Sequence, residues 1–137
     1  MDVTVEPLRA NQRDAVCALE PRSAFVAPVA RYLAMCDEGP WRAFAILDGD
    51  DVAGFVMTAP DHTEDSTWIG GLVVDAGRQG RGIGRAALEQ LIAMHPGPLA
   101  ISYRAENEVA RGLYAALGFA ETGETLDNGE LIARLAR

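Results

Sequence analysis

The sequence contains no lysine: its 12 basic residues are all arginine, set against 20 aspartates and glutamates, for a net charge of −8 over 137 residues. The missing lysine excludes a P-loop, whose phosphate grip requires that side chain. The negative balance argues against coating nucleic acid or an anionic membrane, because both select a positive surface. Cysteine is equally scarce. Cys17 and Cys36 form no CxxC, and His62 and His95 are the only imidazoles, so a structural zinc shell or a disulfide framework lacks its ligands. No apolar run approaches the ~20 residues that span a bilayer, and the opening MDVTVEPLRANQRD has no signal-peptide core. The expectation is a cytoplasmic protein with reduced thiols, no metal, and neither a nucleic-acid nor a membrane partner.

What is present suffices for a core. A composition of 49% hydrophobic and 23% charged residues is that of an ordinary globular domain, and a chain of this length buries ~70% of its unfolded surface. No linker, repeat or low-complexity tract interrupts the chain, so one domain over residues 1–137 is expected.

Val3 and Val5 alternate with polar neighbours ahead of Pro7, which predicts a short strand. Asn11 is placed to cap a helix over Gln12–Glu20, with Ala15, Val16 and Leu19 apolar and Pro21 as its stop. A second helix, Ala27–Cys36, carries Val29, Leu33 and Cys36 and closes at Gly39-Pro40. Trp41–Leu47 and Val52–Thr58 are β-rich runs on either side of Asp48-Gly49-Asp50-Asp51, a hairpin composition. Thr67–Asp75 predicts another strand, 76–84 a glycine and arginine turn, and Arg85–Met94 a helix with Ile83, Ala87, Leu91 and Met94 as its buried stripe. Leu99–Tyr103 is a strand, Glu108–Leu117 a helix stopped by Gly118, and Phe119–Thr122 with Glu130–Leu135 a final hairpin. The order βααβββαβαββ implies an α/β (α+β) fold: a mixed, mostly antiparallel sheet of about 6–7 strands flanked by about 4 helices.

The segment from Leu72 to Arg85 is a strand running into a glycine-rich turn that opens a helix. Glycines let successive amides converge on an anion, and the helix dipole adds to the attraction, so phosphate is the natural ligand. Arg78, Arg81 and Arg85 place three positive charges in eight residues with no acid among them. A tight turn with solvated arginines is the plain alternative. Gly82-x-Gly84-x-x-Ala87 also matches the dinucleotide fingerprint formally, but too little chain follows it for further βαβ units, and no acid ends the Leu99–Tyr103 strand.

Gln79-Gly-Arg-Gly-Ile-Gly84 resembles the Q/R-x-x-G-x-G/A signature of the GNAT N-acetyltransferases. Asn107-Glu-Val-Ala-Arg-Gly-Leu-Tyr-Ala-Ala-Leu-Gly-Phe119 resembles their N-x-x-A-x-x-L-Y-x-x-x-G-F motif. The two stand in the family's order, and the order of elements agrees over essentially the whole chain. The resemblance implies a GNAT fold and an acyltransferase that uses acetyl-coenzyme A in a ternary complex with an amine. It implies that Leu72, Val73 and Val74 pair with the pantetheine arm, and that Gln79, Gly80, Arg81, Gly82, Ile83, Gly84 and Arg85 hold the pyrophosphate through backbone amides. Core packing is the alternative for the valines. Asn107 is either a cofactor contact or a helix N-cap. Tyr114 is either the general acid for the departing thiolate, as the resemblance implies, or a core aromatic. No base is identified; Glu20, Asp37 and Glu38 border the substrate-side helices but suit a solvated surface. Trp41 and Trp68 begin strands as core or rim residues, and Cys17 reads as a small buried hydrophobe.

Within the superfamily the chain most resembles the bacterial spermine and spermidine acetyltransferases, through Phe25-Val-Ala-Pro28 with Val29 and Leu33, Ala45-Ile46, Val52 to Met57, Glu121-Thr-Gly-Glu124 and Gly129-Glu130. Gly71 stands where that resemblance implies a larger polar residue. Residues 1–66 carry twelve acids and five arginines, the remainder eight and seven, a distribution compatible with a polyamine acceptor. Another small-molecule amine (an aminoglycoside or amino acid), a peptide N-terminus, or a non-catalytic acetyl-coenzyme A sensor are the rival readings. The family also implies a homodimer, with the last hairpin available to pair across a two-fold axis.

Overall fold

The computed structural model describes residues 2–21 and 24–137. Seven strands, β1 (Val3–Pro7), β2 (Arg42–Asp48), β3 (Asp51–Asp61), β4 (Ser66–Val74), β5 (Leu99–Tyr103), β6 (Ala120–Thr125) and β7 (Leu131–Leu135), form one sheet in the order β1-β2-β3-β4-β5-β7-β6. Four helices accompany them: α1 (Arg13–Cys17), α2 (Val29–Glu38), α3 (Ile83–Met94) and α4 (Glu108–Ala116). All neighbours pair antiparallel except β4 and β5, which are parallel because α3 carries the chain back between them. The mixed sheet and the order of elements are those expected from the sequence.

Alternation along the central strands divides the core into two layers. Val56 of β3 faces Phe44 and Ile46 of β2 with Ile83, Ala87, Leu88 and Leu91 of α3, while Phe55 and Met57 face Val29 and Leu33 of α2 and Val16 of α1. Helices α3 and α4 therefore cover one face of the sheet, and α1 and α2 the other. The outer edge of β1 is tied to α3 by Gln90, whose Oε1 accepts from the Val5 amide at 2.9 Å and whose Nε2 donates to the Val3 carbonyl. Among the described residues no helix is long and apolar enough to cross a membrane.

Three local expectations are corrected. The first helix is not Gln12–Glu20 but a 3-10 turn, Ala10–Gln12, followed by only five residues of α-helix. The chain leaves the helix because its next residues bond elsewhere: the Glu20 amide donates to the Asp75 carboxylate, and the Glu20 carbonyl accepts from the Ala76 amide. Cys17 is exposed, not buried. In α3 the stripe ends at Leu91, with Leu88 fully buried and Met94 exposed.

A polar cluster fastens the other end of the central strands. Asp61, at the end of β3, accepts from the Thr63 amide and hydroxyl, from Ser66 Oγ and from Arg134 Nη1 of β7, whose guanidinium lies 5.6 Å from the Trp68 ring centroid. Burial pushes this carboxyl upward but is outweighed by the hydrogen bonds from Thr63, Ser66 and Arg134, which hold it at about 2 against an ordinary 3.8. The depressed value means the cluster stabilises the fold fully above pH ~4 and ceases to as the pH falls toward 2, a loss of about 2 kcal/mol. Denaturant unfolding across that range should show this acid limb, and Asp61→Asn should be less stable at neutral pH and lack this contribution to the limb.

Candidate active site

The site begins where the sheet comes apart. β4 and β5 pair only at Thr67 with Leu99, Trp68 with Ala100 and Ile69 with Ile101, so from Gly70 onward the edge of β4 facing β5 has no strand partner. A bulge sharpens the divergence: Met57 opposes Gly70, yet Phe55, two residues back, opposes Val73, three residues on. The additional residue reverses the alternation, and Ile69 and Val73, which would share a face in a regular strand, enter opposite layers of the core. Gly71 adopts φ +62° at the bulge, and a Cβ there would lie 3.2 Å from both Met57 Cγ and Tyr32 Cγ. This explains why glycine stands where a larger polar residue was expected.

Beyond β4, a 3-10 turn (Ala76–Arg78) leads into the glycine loop, where Gly80 and Gly82 take φ +81° and +79° and Gly82 caps α3. Ala86 is the first residue whose amide bonds back into the helix, to Gly82 O at 3.0 Å; among the described residues the amides of Gly80 to Arg85 meet no protein acceptor. Gln79 Nε2 donates to Val74 O at 3.1 Å and ties the loop to β4. A Cβ on Gly84 would meet Val74 Cγ2 at 3.6 Å, an ordinary contact, so this position accepts alanine. The three arginines do not form the expected cationic cluster. Arg78 bridges Asp48 at 3.2 Å and Asp51 at 3.1 Å across the β2–β3 turn, and Arg85 pairs with Glu89 one helical turn on, while Arg81 has no ion pair among the described residues.

Two joined cavities flank the opening. One, of about 680 Å³, is lined by Leu72, Val74, Gln79, Gly80, Gly82, Ile83, Gly84 and Arg85. The other, of about 440 Å³, is walled by Tyr32, Trp41, Trp68 and Tyr103 and contains Glu130. They meet at Leu72, Asn107 and Tyr114, which line both. The structure thus brings together all the sequence-derived candidates for cofactor binding and for the general acid except Val73, whose side chain is buried in the α1–α2 layer, and Arg81, which lines neither cavity.

Asn107 caps α4, its Oδ1 accepting from the Ala110 amide at 3.3 Å, while lining both cavities. Tyr114 is buried, packed 5.3 Å from the Tyr103 ring and edge-on to Phe119, and burial, with Tyr103 and Tyr32 nearby, pushes its hydroxyl far above the ordinary phenol range. Tyr103 donates to Glu121 Oε2 at 2.8 Å, and Arg111 grips the same carboxylate at 2.7 and 2.9 Å. Burial first, then this bond to Glu121, raises Tyr103 to about 12.

The acids considered as bases lie elsewhere. Asp37 is paired with Arg13 at 2.8 Å, and neither it, Glu20 nor Glu38 lines a cavity. Among the described residues Glu130 is the one carboxylate in the smaller cavity, its Oε1 accepting from Ser102 Oγ at 2.8 Å. Sequence reasoning cited Glu130 only within the subfamily resemblance and gave neither it nor Arg104, at the same cavity, a role in the site. They meet only because β7 pairs with β5.

An acidic protein whose phosphate-sized amide cradle opens into a split between parallel strands, with a protonated tyrosine where two cavities meet, has the architecture of a coenzyme A-dependent acyltransferase. Residues 11–119 match the model of the acetyltransferase (GNAT) family, and the chain belongs to it. Over 81 residues it is 30% identical to the peptidyl-lysine N-acetyltransferase YjaB of Salmonella typhimurium; the match covers 59% of this chain, which spans about half (51%) of the length of that relative. Among solved structures, the ribosomal-protein-S18-alanine N-acetyltransferase of Escherichia coli superposes with a TM-score of 0.75 at 26% identity, over 97% of this chain and 92% of that one. A putative acetyltransferase of Salmonella typhimurium with its cofactor acetyl-CoA shares the fold at a TM-score of 0.74 and 16% identity, over 99% of this chain and 94% of that one.

The glycines divide by geometry. Gly71→Ala should lower the melting temperature by several degrees, from strain of about 1–3 kcal/mol, whereas Gly84→Ala should melt at or above the native temperature; calorimetry of the pair checks both.

Proposed function

We propose that the chain transfers an acetyl group from acetyl-coenzyme A to a primary amine, residues 1–137 acting as one catalytic domain. The observation that carries this reading is the run of unpartnered amides from Gly80 to Arg85, continuous through the larger cavity with the unpaired edge of β4. That cradle fits a diphosphate on an elongated arm, because amides converge where glycines allow positive φ and the α3 dipole adds its field. Bound there, acetyl-coenzyme A supplies an acetyl group activated as a thioester.

The backbone of Leu72, Val73 and Val74 aligns the arm, and the bulge at Gly71 presents a backbone group to the charge that develops on the carbonyl oxygen. The acceptor nitrogen bonds to the acetyl carbon as the carbon–sulfur bond breaks. Tyr114 holds a proton at its hydroxyl, where the cavities meet, and gives it to the leaving sulfur. Its aromatic surroundings suit that role, since a phenol raised above its ordinary value stays protonated throughout the physiological range.

The polyamine expectation gains less support. Half of the twelve N-terminal acids that would attract a polycation are matched to arginines: Glu6 to Arg9, Asp37 to Arg13, Asp48 and Asp51 to Arg78, and Asp61 and Glu64 to Arg134. The relatives named above act, by their names, on peptidyl-lysine and on an alanine of ribosomal protein S18.

Tyr114→Phe should lower turnover by about 100-fold or more while acetyl-coenzyme A still protects the protein against heat. Gly82→Glu should lose that protection. Equal turnover in Tyr114→Phe would reduce the chain to a binding module, and full protection in Gly82→Glu would remove the loop from the site. In the native enzyme Tyr114 should impose no loss of activity between pH ~8 and ~10.

A further inference from the structure

The cavity on the acceptor side has an unusual charge pattern. Its walls are largely apolar, with Tyr32, Trp41, Trp68 and Tyr103 among them, and among the described residues only two charged side chains line it, Glu130 and Arg104. Tyr103 opposes Leu131 as the last registered pair of β5 and β7, and Arg104 and Glu130 are the residues that adjoin that pair, one just after β5 and the other just before β7. They form no ion pair with each other. Glu130 is turned toward Ser102, and the Arg104 guanidinium has no carboxylate partner among the described residues.

Resting on the acetyltransferase reading, we propose that the acceptor is a free α-amino acid with an apolar or aromatic side chain, its ammonium received by Glu130 and its carboxylate by Arg104. An α-amino acid carries both charges on one carbon, and a carboxylate and a guanidinium that adjoin the last pair of β5 and β7 and line one cavity offer both counter-charges. The aromatic walls take the side chain and add cation–π attraction to the ammonium. A polyamine or an aminoglycoside would satisfy one ammonium at Glu130 and desolvate the others against rings. A peptide N-terminus would present Arg104 with an amide carbonyl instead of a carboxylate. During transfer the ammonium loses two protons: one passes through Glu130 to solvent, the other replaces the proton that Tyr114 gives to sulfur, and the nitrogen–carbon bond forms as the carbon–sulfur bond breaks.

The test follows coenzyme A release by the purified full chain with acetyl-coenzyme A and L-phenylalanine, L-leucine, L-phenylalaninamide, phenethylamine or spermidine. L-Phenylalanine should exceed phenethylamine and the amide in kcat/KM by about tenfold or more, the loss expected when a charged hydrogen-bond partner is absent. That ratio should collapse in Arg104→Gln through KM and recover in Arg104→Lys. Phenethylamine or the amide matching phenylalanine, spermidine exceeding it, or an unchanged ratio in Arg104→Gln would overturn the assignment while leaving the transferase reading intact. Heat protection by acetyl-coenzyme A with no release from any of these amines also overturns it. Neither protection nor release would instead overturn the transferase reading itself.

Discussion

The parting of β4 from β5 is the constraint on which the rest of the site depends. Three registered pairs hold the two parallel strands together, and the bulge at Gly71 then turns β4 out of the plane that further pairing would need. A buried strand edge without a partner is costly in an ordinary core. Here the edge borders an open cavity, so its amides and carbonyls remain available to a ligand that hydrogen-bonds like a strand. The same divergence makes room beside α4, and Tyr114 is thereby packed against Tyr103 and Phe119 yet lines both cavities.

Under the proposed function, backbone geometry is also what would let a chain of net charge −8 with no lysine hold a doubly anionic group. The grip comes from amides at positive-φ glycines and from the first turn of α3, neither of which alters the formal charge. Of the arginines in the turn, Arg78 is a structural partner of this cradle. Arg78 fastens the 3-10 turn to the two aspartates of the β2–β3 hairpin, and Gln79 fastens the loop to β4. Tyr103 is held in the same way by Glu121 and Arg111, which join β5, α4 and β6 around the tyrosine pair.

How much was legible in the sequence follows from how local each determinant is. Leu99–Tyr103 was delimited to the residue, and the glycine turn ahead of α3 and the burial of Tyr114 on α4 were legible, because hydrophobic alternation, glycines at fixed offsets and a helical stripe are all short-range patterns. The first helix was overextended because its end is set by a bond from Glu20 to Asp75, 55 residues away. The arginine cluster was misjudged for the same reason, since Arg78 meets its aspartates across a hairpin whose charges are invisible in a local count. Gly71 looked anomalous until the bulge supplied its positive φ.

The two halves of the site differ in kind, and the difference explains why one has a motif and the other does not. The donor half is built from contiguous backbone between Leu72 and Arg85, so its requirement is conformational and is written as glycines at fixed spacing. The proposed acceptor half is assembled from side chains that follow α1, precede β2 and lie on α2, β3, β4, β5, α4 and the β6–β7 turn, and no two of those elements are bound to a common spacing. Its charge balance can therefore change by single substitutions on β5 or β7 without disturbing the cradle. A fold arranged in this way can keep one donor while its acceptors diverge, since the groups that select the amine are not the groups that hold the strands apart.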